Sequence, residues 1–192
     1  VVVDCGGLVD ARPEHLWQYA LMARHYVRVT MGVAEPKVGI LSVGEEEHKG
    51  NKLVKETWEV FKQHPVPGFV GNVEGRDVFR DKADVVVCDG FVGNVMLKAA
   101  EGLGEMMLGM VKEAMTSIPQ LGGLLHEMAK KLDYAEYGGA PLLGVRGAYI
   151  IGHGRSTARA VANAVRVARD YVAGDLDRKI ADEAVASGVR GA

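Results

Sequence analysis

The stretch Asp84–Gly102, DVVVCDGFVGNVMLKAAEG, decides the architecture. It opens with Val85-Val86-Val87-Cys88, a continuous apolar, β-branched run of the length expected for a strand buried on both faces. Asp89-Gly90 and Gly93-Asn94 are turn formers, and from Val95 the apolar residues Met96, Ala99, Ala100 and Leu103 fall at helical spacing. Strand, glycine-bearing loop and helix in that order turn the free N–H groups of a helix N-terminus toward a pocket at the end of a parallel sheet, where anions are held. The stretch therefore predicts a phosphate or acyl-substrate site, with Gly93 kept small for close backbone approach and a positive φ.

Working outward, the 192 residues are enough for a full core, and many of the 25 glycines directly follow apolar runs, which favours an α/β fold with working loops. A formal charge of −2 gives no support to nucleic-acid binding. Cys5 and Cys88 are isolated, so neither a disulfide framework nor a metal site is indicated, and a reducing, cytoplasmic setting fits. No apolar run is long enough to span a bilayer. Val1-Val2-Val3-Asp4 reads as a strand already under way, as in a fragment.

A glycine-bearing loop, Cys5 to Asp10, follows that strand and leads to a helix entered at Pro13 and closed by Gly32, with Leu16, Ala20, Leu21, Ala23 and Val27 inward. Lys37 to Val43 is the second strand. It runs into Gly44-Glu45-Glu46-Glu47-His48-Lys49-Gly50-Asn51, and then Leu53, Val54, Trp58 and Phe61 mark an amphipathic helix stopping near His64-Pro65. Three successive glutamates are in the first instance a solvated loop, but a lysine and flexible backbone within the same turn suit a binding site. Gly68 to Val73 is a short strand, and in the polar turn Glu74-Gly75-Arg76-Asp77 the arginine is open between an ion pair and the pocket mouth.

From Asn94 the helix is expected to reach about Ile118, apolar nearly all round and so in need of a cover. Pro119 ends it, and a second helix to Leu132 makes 103–132 a projecting helical hairpin: a core hairpin, a dimerising bundle or a membrane-touching tip at 115–125. Leu142–Val145 and Ala148–Ile151 suggest a hairpin turned at Arg146-Gly147. Gly152-His153-Gly154-Arg155-Ser156-Thr157 then opens a helix with Ala158, Val161, Ala162, Val165 and Ala168 inward, giving another anion-holding strand end.

Five blocks together resemble the bacterial fatty acyl-[acyl-carrier-protein]:phosphate acyltransferases: GEEEHKGN (Gly44 to Asn51), GNVEGRD (Gly71 to Asp77), VVVCDGFVGNVMLK (Val85 to Lys98), LDYAEYGGAPLLGV (Leu132 to Val145) and the Gly152–Gly154 step. The resemblance implies an open, mostly parallel sheet with helices on both faces, like the isocitrate and isopropylmalate dehydrogenases, with a dimer-forming helical arm. It implies transfer of a fatty acyl group from acyl carrier protein to inorganic phosphate, no cofactor, a homodimer, and a cytoplasmic protein peripheral to the membrane. It also implies a preceding half with an Asp-x-Met-Gly-Gly-Asp loop, so 1–192 is expected to be a single α/β domain without it. Gly6-Gly7-Leu8 stands where the family carries Gly-Ala-Asn, and Arg155 where a small polar residue is common.

Phosphate is itself the nucleophile in such a reaction, so the site must hold a dianion near a thioester carbonyl and stabilise the developing oxyanion. The expected catalytic residues are Lys49, Asp89 and His153; substrate binding falls to Gly44, Glu45, Gly50, Asn51, Gly90, Gly93, Asn94, Gly154, Arg155 and Ser156. Cys88, ending a buried strand, is packing rather than nucleophile. Two alternatives stay open: a non-catalytic module that dimerises and binds carrier protein, and a nucleotide-dependent dehydrogenase, which the missing GxGxxG disfavours.

Overall fold

The computed structural model describes residues 1–117, 123, 139–152, 154 and 156–186. Its main sheet is built from β1 (Val2–Val3), β2 (Val38–Leu41), β3 (Phe69–Val73) and β4 (Val85–Val87), all parallel, in the order β1-β4-β2-β3. The valine run lies centrally, between β1 and β2, with Val85, Val86 and Val87 at most 3% exposed. A parallel pair needs a crossover, and α1 (Pro13–Thr30) supplies the one from β1 to β2 while α2 (Lys52–Gln63) joins β2 to β3. A 3₁₀ turn, Gly75–Phe79, leads from β3 toward β4.

Leu16, Ala20, Leu21, Ala23 and Val27 are all buried, as their spacing predicts, and α1 packs on β1, β4 and α2. Val38, Ile40, Val85 and Val87 meet Val54 and Phe61 of α2 in the same core. Gly39 lets β2 and β3 approach: a Cβ there would lie 2.5 Å from a Val73 methyl.

The described chain forms two compact units. The first comprises residues 1–96, 143–147 and 171–192; the second comprises 97–142 and 148–170. α3 (Gly90–Ser117) starts in the first and continues into the second. In the second, β5 (Ala140–Pro141) pairs antiparallel with β6 (Ile150–Ile151). The strands thus pair two residues earlier than the expected Leu142 start, because Gly139, at φ +114°, admits the close approach of the Ile151 carbonyl. α4 (Ala158–Ala173) follows, and α5 (Leu176–Ala186) packs on α1 in the first unit.

α4 corrects the sequence reading. Ala160 and Asn163 are buried, whereas Ala158, Val161, Ala162 and Val165 are exposed. The helix carries small apolar residues on two stripes, and the buried one is the one in register with Tyr171, whose large ring is 2% exposed. The expected second arm of the hairpin lies outside the described residues. Among the described residues no helix is long and apolar enough to cross a membrane.

Candidate functional site

In a parallel sheet the loops after the strands leave by one edge, and here those after β1, β4 and β2 do so side by side. The β1 loop is closed upon itself. The Asp4 carboxylate accepts the N–H groups of Gly6 (3.0 Å), Gly7 (2.8 Å) and Leu8 (2.7 Å), and the Leu8 carbonyl accepts Gly90 N–H (2.9 Å). A side-chain carboxylate already sits where an external anion would bind these amides.

The β4 loop is shorter than its sequence suggests. α3 begins at Gly90, four residues before the expected Asn94, because Asp89 caps it: its Oδ1 accepts Val92 N–H at 2.8 Å. The Asp89 carbonyl takes Gly93 N–H at 3.0 Å, so the Gly90, Val92 and Gly93 amides are all engaged. Gly93 is indispensable for a different reason from the one expected. It is not among the glycines with positive φ, and a Cβ would fall 1.8 Å from the Asp4 carbonyl oxygen, so the close approach is between two protein backbones. Asn94 is exposed, its side chain beside Gly6. Burial, then nearby Cys5, Asp89 and Asp4, push the Cys88 thiol up to about 12, which agrees with a packing role.

The β2 loop, Ser42–Asn51, is organised differently. Asn51 Oδ1 accepts Val54 N–H (2.9 Å) and caps α2, while Gly50, at φ +105° and with a Cβ position 2.6 Å from a Val54 methyl, makes the tight entry. Two of the three glutamates are held by lysines from outside the loop. Glu45 pairs with Lys82 (2.8 Å), which also reaches buried Asp77 (3.2 Å), and Glu47 pairs with Lys62, itself bonded to Glu59 (3.0 Å). Glu45 foremost, with Asp77, raises the Lys82 pKa, and the Glu74 N–H first, then Lys82, lowers that of Asp77. Lys49 is left over. Its stem lies over buried Gly44, whose missing Cβ would stand 3.0 Å from Lys49 Cγ, and its exposed ammonium has no ion-pair partner among the described residues. Next along the loop, the Ser42 Oγ is buried 3.0 Å from the missing Cβ position of Gly50, with no hydrogen-bond partner among the described residues.

Lys49, Gly44, Glu45, Gly50, Asn51, Asp89, Gly90, Gly93 and Asn94 thus fall in the first unit, on the loop after β2 and at the start of α3 after β4, the two strands being adjacent in register Ile40↔Val87. Gly154 and Ser156 belong to the second unit, where Thr157 Oγ1 caps α4 by accepting Ala160 N–H at 3.3 Å. His153 and Arg155 lie outside the described residues. Arg76 is an ion pair with Glu74 (2.7 Å), the first of the two readings of that turn.

Sequence reasoning missed Asn72, 2% exposed on β3, which donates Nδ2–H to the Glu46 carbonyl (2.8 Å) and accepts Trp58 Nε1–H (2.9 Å). The available signal was an amide in an otherwise apolar strand run, where a buried polar group must find partners. Lys82 was missed too, since only folding brings it to Glu45.

The architecture is thus a parallel α/β sheet whose β2 strand-end loop carries, among the described residues, a lysine without an ion-pair partner and a hydroxyl without a hydrogen-bond partner. The model of the fatty acid synthesis protein family matches residues 1–179, and the chain belongs to that family. It is 51% identical over 179 residues to a phosphate acyltransferase of Nitratidesulfovibrio vulgaris (strain DP4), covering 90% of this chain and 52% of that protein. It is also 48% identical over 187 residues to the phosphate acyltransferase of Aquifex aeolicus (strain VF5), covering 94% and 55%, and 47% identical over 188 residues to that of Dictyoglomus turgidum, covering 94% and 56%. The chain spans about half the length of the curated relatives it matches.

Proposed function

We propose that this chain carries the phosphate-holding part of an enzyme that transfers a fatty acyl group from acyl-[acyl-carrier-protein] to inorganic phosphate, supplying acyl phosphate for phospholipid synthesis. The observation that carries the reading is Lys49, whose neighbours Glu45 and Glu47 are tied to other lysines and which has no ion-pair partner among the described residues. The Ser42 hydroxyl lies buried behind the adjoining Gly50 step, without a hydrogen-bond partner among the described residues. In the reaction an oxygen of hydrogen phosphate attacks the thioester carbonyl, the C–S bond breaks, and the carrier protein leaves as its thiol with the proton that the phosphate brought. Lys49 holds the dianion as a point charge, and Asn94, in the first turns of α3, is a donor for the carbonyl oxygen. Asp89 acts through the helix start that it caps. The Gly152–Ser156 step, with His153 and Arg155, is read as a further substrate contact.

The same reading continues the parallel sheet into an isocitrate dehydrogenase-like fold with helices on both faces and makes the arm a homodimer contact. In support, Leu103, Met106, Met107 and Met110 of α3 are 46–62% exposed, a stripe that a second copy would cover. Residues 115–125 are assigned to peripheral membrane contact. Replacing Ile118 and Leu124 by Asp is expected to abolish sedimentation with anionic liposomes while light scattering still reports a dimer.

The function is tested by following phosphate-dependent release of free carrier protein from an acyl thioester, without nucleotide. Lys49→Ala is expected to raise the phosphate concentration needed for half-maximal rate with little change in Tm. An unchanged phosphate dependence with lost thermal stability would reduce Lys49 to a packing residue.

A further inference from the structure

We infer that Asn72 is a positioning residue for Lys49, acting through the Glu46 carbonyl. That carbonyl receives two hydrogen bonds: one from Asn72 Nδ2 at 2.8 Å and one from the Lys49 N–H at 2.9 Å. The first fixes the peptide in space, and the second hangs the lysine backbone from it. The amide orientation follows from its partners, since an indole N–H only donates and a carbonyl only accepts. Trp58 donates to Asn72 Oδ1 at 2.9 Å, and its ring is itself held edge-on to Phe69, with centroids 4.8 Å apart. A rigid column therefore runs from the aromatic contact through a buried side chain to the turn that bears Lys49.

The placement is economical in charge. Asn72 is neutral and 2% exposed, so it anchors the turn without setting a carboxylate beside the ammonium, whereas the flanking Glu45 and Glu47 side chains are held by lysines outside the turn. Loss of the Nδ2 donor frees the Glu46 peptide to rotate and lets Lys49 wander. A misplacement of this kind costs reaction rate out of proportion to stability.

This inference rests on Lys49 being the phosphate-holding cation, and a double-mutant cycle in the full-length protein separates the two claims. Asn72→Leu removes both bonds in a similar volume, and Asn72→Asp removes the donor while retaining an acceptor for Trp58, so the second serves if the first fails to fold. Either is expected to lower kcat/KM for phosphate roughly ten- to hundred-fold, chiefly through KM for phosphate, and to have little further effect in a Lys49→Ala background. Hydrogen exchange of the Lys49 amide is expected to speed up while the β2 and β4 amides stay protected. Equal losses with and without Lys49 would overturn the inference, leaving Asn72 a structural residue and the function intact. A Lys49→Ala protein with unchanged phosphate dependence would overturn the functional reading of the loop and the inference with it.

Discussion

The loops after β1 and β2 leave the same sheet edge on either side of β4 and have opposite characters. After β1, the Asp4 carboxylate consumes the amides of Gly6, Gly7 and Leu8, so the loop is an anion nest that its own side chain fills. After β2, Glu45 and Glu47 are held by Lys82 and Lys62, and Lys49 has no ion-pair partner among the described residues. Glycine content does not distinguish them. What makes a strand-end loop a binding site is whether its donors are already spent, and that is decided by where one carboxylate points.

The first way to break this comparison is at Gly93, where the β4 helix start meets the β1 loop. Because a Cβ would stand 1.8 Å from the Asp4 carbonyl, even Gly93→Ala is expected to cost about 3 kcal/mol or more of stability, read from urea unfolding. A near-native Cm would show that the two backbones have room to part.

Asp4→Ala follows, with an expected loss of about 2 kcal/mol, since amides that bonded a carboxylate fall back on water. Such a variant also sharpens the contrast. If filling by Asp4 is what closes the β1 loop, the emptied nest should gain measurable affinity for phosphate by calorimetry, whereas heat equal to the parent's would mean that the loop collapses.

Much of the fold is legible in the sequence because it is carried by periodicity: the valine run is the buried central strand, and the inner face of α1 is the predicted one. What periodicity leaves open is which of two apolar stripes goes inward, and α4 turns on the position of Tyr171. The helix start at Gly90 was hidden for another reason. Glycines at 90 and 93 read as loop, yet a capping aspartate and the close passage of the Asp4 backbone put both in the first turn. At the site, Lys49 and Gly50 stand out as a local motif, while Asn72 and Lys82 become visible only when distant segments meet.

A smaller effect belongs to Cys88. Its folded pKa is raised from 9.0 to about 12, so the stability linked to its protonated form is complete below pH 9 and declines as the pH rises toward 12, where only the unfolded chain readily releases the proton. Cys88→Ala is therefore expected to flatten the alkaline limb of a Tm-versus-pH curve. An identical limb in both proteins would place the alkaline sensitivity elsewhere.

The central claim, that the β2 loop is open to an oxyanion and the β1 loop is not, is tested most directly by titrating the ¹⁵N-labelled protein with inorganic phosphate and following amide shifts. The account predicts saturable shifts at Lys49 and Gly50, lost in Lys49→Ala, with Gly6, Gly7 and Leu8 unmoved. Shifts confined to Gly6–Leu8, with a silent Lys49, would contradict it.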